Sequence, residues 1–163
     1  MKSLCFMNFN QYYNKQLNKL MRVSFLKLII STVFLDVLIA ALFSYVIYPS
    51  HKEGPIFNSL LDSIIVPLIV APFFETLLFQ KVIIDFILEK FNQAFLVSCL
   101  SSAILFGLSH YYSPQYILVT FISGILYATL YMVTLKKNGF AFFSVVIAHA
   151  LFNLVGLSIK YFT

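Results

Sequence analysis

Residues 55–90 read PIFNSLLDSIIVPLIVAPFFETLLFQKVIIDFILEK, apolar almost throughout and interrupted by Pro67, Pro72 and one mid-run carboxylate, Glu75. A straight helix crosses the ~30 Å hydrocarbon core in about 20 residues, so this stretch is too long for one straight crossing. At about 1.5 Å per residue, a single helix from Asn58 puts Glu75 about 25 Å below the outer surface, while His110 ends its own run near that surface. Groups so placed cannot meet. A short re-entrant or interfacial piece over residues 58–70, followed by a span from Ala71, puts Glu75 about 6 Å deep, and the depths agree. The second division is the expectation.

Four further runs surround this one. Residues 24–48 form an uncleaved first span, since no small-residue cleavage pattern follows before Pro49. Residues 92–111, 114–135 and 139–162 are each long enough to cross hydrocarbon. Pro114 suits an early helix position, and Lys136, Lys137, Asn138 and Gly139 make a polar turn. In residues 6–20, Phe6, Phe9, Tyr13, Leu17 and Leu20 recur at helical spacing among Asn, Gln and Lys, which predicts an interfacial helix. The expected fold is all-α: a polytopic transmembrane helix bundle of about five spans with one re-entrant or interfacial segment. A basic amphipathic leader over residues 1–23 precedes the first span, and residues 58–162 form the core.

Composition agrees. Of 163 residues, 61% are hydrophobic and 10% charged, against about 25% charged in a soluble domain, and mean hydropathy is +0.92. The apolar residues are too many to hide inside an 18.7 kDa globule, and no extramembrane domain fits. Lys2, Lys15, Lys19, Arg22 and Lys27 crowd the start of the first span. With Lys90, Lys136 and Lys137 they predict a cytoplasmic N-terminus, and only Lys52 and Lys160 fall outside. A six-span alternative would move Lys136 and Lys137 outside. The positive charge is thus a topology signal and not a nucleic-acid footprint; the lipid bilayer is the expected partner. Cys5 and Cys99 sit in the leader and in an apolar run, so both are expected as free thiols.

Ionisable side chains in hydrocarbon cost about 2.5–3.5 kcal/mol each on insertion scales, so they mark function by default. Here they are Glu75, His110 and His149, with the amide Asn153. His149 and Asn153 are four apart on one helix face, as are Phe106 and His110. Such groups can hydrolyse an amide. Glu75 takes a proton from water, His110 orients that water or protonates the leaving amine, and His149 with Asn153 donates to the oxyanion, about 3–4 kcal/mol per donor. No Ser or Cys nucleophile is required.

At these residues the sequence resembles the CAAX protease and bacteriocin-processing (CPBP, or Abi) family of intramembrane glutamate endopeptidases. The family pattern is Glu-Glu-x-x-x-Arg, Phe-x-x-x-His and His-x-x-x-Asn in order, here occupied by Glu75, by Phe106 with His110, and by His149 with Asn153. The resemblance covers residues 58–162. It implies that Glu75 and His110 activate water while His149 and Asn153 form the oxyanion hole, acting on a peptide or protein that enters from the membrane or its surface, in a bacterial plasma membrane. Thr76 and Gln80 replace the family's second Glu and its Arg. The two opposite charges are lost together, and a hydrogen-bonded Thr76–Gln80 pair is the expected neutral substitute.

Other features carry less. Lys81, Asp85 and Glu89 read as a self-paired, snorkelling stripe, and Gly124 with Ser123 and Ala128 as a close-packing patch. Asp36 has no evident partner. Competing functions are bacteriocin self-immunity by binding and a small proton-coupled transporter. No cofactor is expected: Glu75, His110 and His149 are zinc-ligand types, but no His-Glu-x-x-His spacing favours a metal.

Overall fold

The computed structural model describes residues 2–47, 55, 57, 59–91, 94–137 and 139–162, with the backbone alone for residues 2–8 and 162. The side chains of Lys2, Phe6 and Cys5, and residues 48 and 49, Lys52, Asn58, Asn92 and Asn138, invoked above, lie outside the described set. The fold is an all-α helical bundle without strands among those residues. Its helices are α1 (Lys2–Leu20), α2 (Phe25–Ile47), α3 (Leu60–Lys90), α4 (Phe95–Ser109), α5 (Pro114–Lys136) and α6 (Ala141–Phe162).

Four of these, α2, α3, α5 and α6, are long and apolar enough to cross a membrane. The expected break between residues 70 and 71 is not there. Residues Leu60–Lys90 form one uninterrupted 31-residue helical run, about 46 Å long at the α-helical rise. Ser59 caps its start: its Oγ accepts from the Asp62 backbone N–H at 3.0 Å and donates to the Asp62 carboxylate at 2.8 Å. Pro67 and Pro72 are absorbed by a change of register. Val66–Val70 and Thr76–Val82 are π-helical, with Ala71 N–H bonding to Val66 O five residues back. The depth conflict is resolved elsewhere. Helix α4 has only 15 residues, about 22 Å, so His110 at its end stops short of a full crossing and meets Glu75 at the middle of a long α3.

The core gathers around α5, which lies against α4 at very close range. A Cβ on Gly124 would come within 2.9 Å of Ala103 Cα, and one on Gly107 within 2.9 Å of Phe121 Cβ. The small-residue patch therefore serves helix approach, as expected. Ser113 caps α5, accepting from Tyr116 N–H at 3.2 Å with Pro114 as the first helical residue.

Helix α1 packs on the bundle with one face. Leu17 is fully buried, Tyr13 Oη lies 2.8 Å from Thr129 Oγ1, and Asn10 Oδ1 accepts from Leu96 N–H at 3.0 Å, while Phe9 and Tyr12 stay exposed. Lys136 Nζ donates to Asn14 Oδ1 at 2.6 Å, and Lys137 Nζ to the Met21 and Val23 carbonyls at 2.8 and 2.6 Å. The leader and the C-terminal end of α5 thus share one end of the molecule, as the lysine distribution required. On α3, Lys81 pairs with Asp85 at 3.0 Å, and Asp85 also accepts from Tyr131 Oη at 2.9 and 3.1 Å, so the stripe is tied to α5 as well as to itself. Cys99 is a buried free thiol.

Candidate active site

Three helices bring their polar residues to one point. Glu75 ends the α-helical segment Ala71–Glu75 of α3, His110 terminates α4, and His149 lies within α6. Glu75 Oε2 is 3.6 Å from His110 Nε2 and 3.8 Å from His149 Nε2. Both separations exceed a direct hydrogen bond. Glu75 Oε2 is buried and has no hydrogen-bond partner of its own.

The His110 ring has a fixed orientation. Its Nδ1 lies 2.8 Å from Phe106 O and 3.1 Å from Ser109 Oγ. A carbonyl only accepts, so Nδ1 carries the proton, and in the neutral ring Nε2 presents a lone pair toward Glu75. Two acceptors, Glu75 Oε2 and His110 Nε2, therefore face one small volume. That is the arrangement that can hold both hydrogens of one water and leave its oxygen lone pairs outward. His149 is different: its Nδ1 is buried without a partner, and aromatic rings surround it.

Phe106 is the hub of those rings. Buried at 2% exposure, it lies 4.7 Å from His110, 5.8 Å from His149, 5.7 Å from Phe79 and 5.9 Å from Tyr127, centroid to centroid. Tyr116 stacks on His110 at 5.9 Å. Asn153 reaches the same neighbourhood along α6, but its Nδ2 donates to Pro67 O at 2.7 Å. Thr76 and Gln80 are both fully buried, yet no hydrogen bond joins them: Thr76 Oγ1 and both Gln80 amide atoms lack partners. They lie in the π-helical segment Thr76–Val82, and neither side chain turns to the other there. The expected pair is therefore not formed.

Asp36, Tyr127, Tyr116 and Pro67 also enter the site or its supports. The signal for the first two was available: a carboxylate in a span needs donors, and Ser123 and Tyr127 place two hydroxyls on one face of α5. A cleft of about 170 Å³ between α2, α5 and α6, lined by Ala40, Ser44, Tyr116, Thr120, Ser123 and Phe152, borders the site through Tyr116.

Residues 57–155, more than half of the 163-residue chain, match the family described as type II CAAX prenyl endopeptidase, Rce1-like. The chain belongs to this family. No curated protein and no solved structure gives a significant match. Family membership and four membrane-length apolar helices make this a CAAX-type intramembrane peptidase, integral to the membrane. The match includes every residue of the convergence, Glu75, His110 and His149 with Phe106 and Asn153, and excludes α1 and α2.

No group of three His, Cys, Asp or Glu side chains among the described residues has metal-site geometry. The chemistry of the set bears on the same question. A metal-bound imidazole almost always gives its other ring nitrogen to an acceptor. His110 does so, and His149 does not.

Proposed function

We propose that the peptidase hydrolyses its substrate by a glutamate mechanism in which Glu75 and His110 together hold and deprotonate water. The observation that carries this reading is the convergence of Glu75 Oε2 with the His110 and His149 Nε2 atoms at 3.6 and 3.8 Å. Water donates one hydrogen to Glu75 and the other to the His110 Nε2 lone pair; as its oxygen attacks the scissile carbonyl, Glu75 takes the proton and later passes it to the departing amine. His149 Nε2–H donates to the developing oxyanion. Asn153 carries a second Nδ2–H besides the one given to Pro67, and that hydrogen is the other donor. Thr76 and Gln80 are neutral neighbours of the base, and Phe106 fixes the spacing of the two imidazoles. No metal enters these steps.

The proposed substrate is a peptide or protein terminus delivered by the membrane. Kinship with type II CAAX prenyl endopeptidases points to a prenylated CAAX terminus, and the apolar residues of the cleft beside Tyr116 suit a lipid-modified chain. The proposed setting is a bacterial plasma membrane with the leader on the cytoplasmic side. The test is cleavage by the purified protein in liposomes, in water enriched in ¹⁸O, of matched peptides with and without a prenyl group. One ¹⁸O in every new C-terminal carboxyl within a single turnover, with no acyl-enzyme trapped by added hydroxylamine, supports direct attack by water, and preference for the prenylated peptide supports the substrate class. Protection against a bacteriocin that persists without any cleavage would favour the binding alternative.

A further inference from the structure

Asp36 lies on α2, outside the residues that match the family, and the hydrolysis just described does not use it. It is nonetheless fully buried. Both of its carboxylate oxygens accept from α5: Oδ1 from Ser123 Oγ at 2.5 Å and Oδ2 from Tyr127 Oη at 2.6 Å. Both distances are at the short end for O–H···O hydrogen bonds. Ser123 and Tyr127 are four apart on α5, so one helix face supplies both donors.

The far side of Tyr127 explains why such a group should be kept in an apolar span. The Tyr127 ring stacks on His149, with centroids 5.0 Å apart and planes 28° from parallel, while Phe106 meets His149 edge-on at 79°. Among the described residues no hydrogen bond holds the imidazole. His149 Nδ1 has no hydrogen-bond partner, and Nε2 is 3.8 Å from Glu75. The terminal torsion of a His side chain is broad and roughly two-fold. Rotation of the ring out of its plane would therefore swing Nε2 out of line with Glu75, and a ring face stacked on the imidazole opposes that rotation. That ring is tied at its far end to Asp36.

The geometry points to Asp36 as a positioning residue that acts through Tyr127: by anchoring the Tyr127 hydroxyl it fixes the plane of the His149 ring, the plane in which Nε2 lies 3.8 Å from Glu75. The catalytic purpose of that orientation rests on the glutamate reading above, but the orientation itself does not. Helix α2 is then a working part of the site, although it contributes no group that touches substrate.

The test reads the ring directly and activity separately. The chain has three histidines, and the His149 ring resonances in detergent-solubilised protein are assigned by their loss in His149→Gln. Asp36→Ala and Tyr127→Phe should move those resonances alike and leave His110 in place, the double variant should move them no further, and Asp36→Asn, which keeps one acceptor, should fall between. Tyr127→Phe preserves the ring and its volume, so it remains informative if Asp36→Ala does not fold. In parallel, kcat should fall about ten- to a hundredfold with KM little changed, as for a misplaced reacting group. Resonances that superimpose on the unaltered protein, or single-variant shifts that add in the double variant, overturn the inference. Coupled shifts in a protein whose cleavage is indifferent to Glu75→Gln sustain the positioning and overturn the glutamate mechanism.

Discussion

Asn153 Nδ2 donates to the carbonyl oxygen of Pro67 at 2.7 Å, joining α6 to α3 eight residues before Glu75. The bond follows from the backbone. Ala71 N–H is bonded to Val66 O in π register, so the next bond of that ladder would run from residue 72 to Pro67 O. Residue 72 is proline and has no N–H. The orphaned carbonyl is taken by a side chain from another helix, as buried membrane backbone requires.

Removing that donor leaves Pro67 O unpaired. Asn153→Ala should cost about 1–3 kcal/mol of stability, and Asn153→Asp more, because a carboxylate sets oxygen against oxygen. Thermal unfolding in detergent reads both. Equal unfolding temperatures for Asn153→Ala and the unaltered protein would deny the bond a structural part.

Gly124 is a second sensitive position. A Cβ there would meet Ala103 Cα at 2.9 Å and Phe106 Cδ1 at 3.2 Å. Gly124→Val should therefore separate α4 from α5 at a cost of about 1–3 kcal/mol or more. It should also lower cleavage, because Phe106 touches both imidazoles. Peptide turnover per folded molecule is the measurement.

Lys137 tests the docking of the leader. Its ammonium donates to the carbonyls of Met21 and Val23, where α1 turns into α2. Lys137→Met keeps the length of the side chain and removes the donors. Hydrogen exchange should then rise at residues 21–28 while the amides of α5 near Tyr127 stay protected.

How much of this was legible is best judged residue by residue. Glu75, His110 and His149 stood out because each is an ionisable group in an apolar run, and their ordered spacing pointed to one site that the fold does assemble. The division of residues 55–90 was not legible. Depth arithmetic favours a break before Ala71, whereas the chain changes hydrogen-bond register around Pro67 and Pro72 and continues, and the short α4 removes the depth conflict. The Thr76–Gln80 bond was not legible either: spacing places the two side chains as neighbours, but their rotamers, set by the packing around two fully buried groups, do not join them. Asp36 could be flagged but not assigned: its partners lie 87 and 91 residues away and only tertiary packing selects them.

A metal-independent mechanism predicts that cleavage survives chelation. Protein prepared metal-free and assayed with a chelator should keep its full rate. Loss of activity that zinc alone restores would return Glu75, His110 and His149 to the role of ligands.

The central claim is that Glu75 is the base for a water it shares with His110, and the rate of Glu75→Gln tests it most directly. Gln keeps the shape and one acceptor but cannot take the proton. Cleavage should drop by about 10²–10⁴, with unfolding temperature and membrane insertion unchanged. A Glu75→Gln protein that cleaves within a few-fold of the unaltered rate would contradict the account.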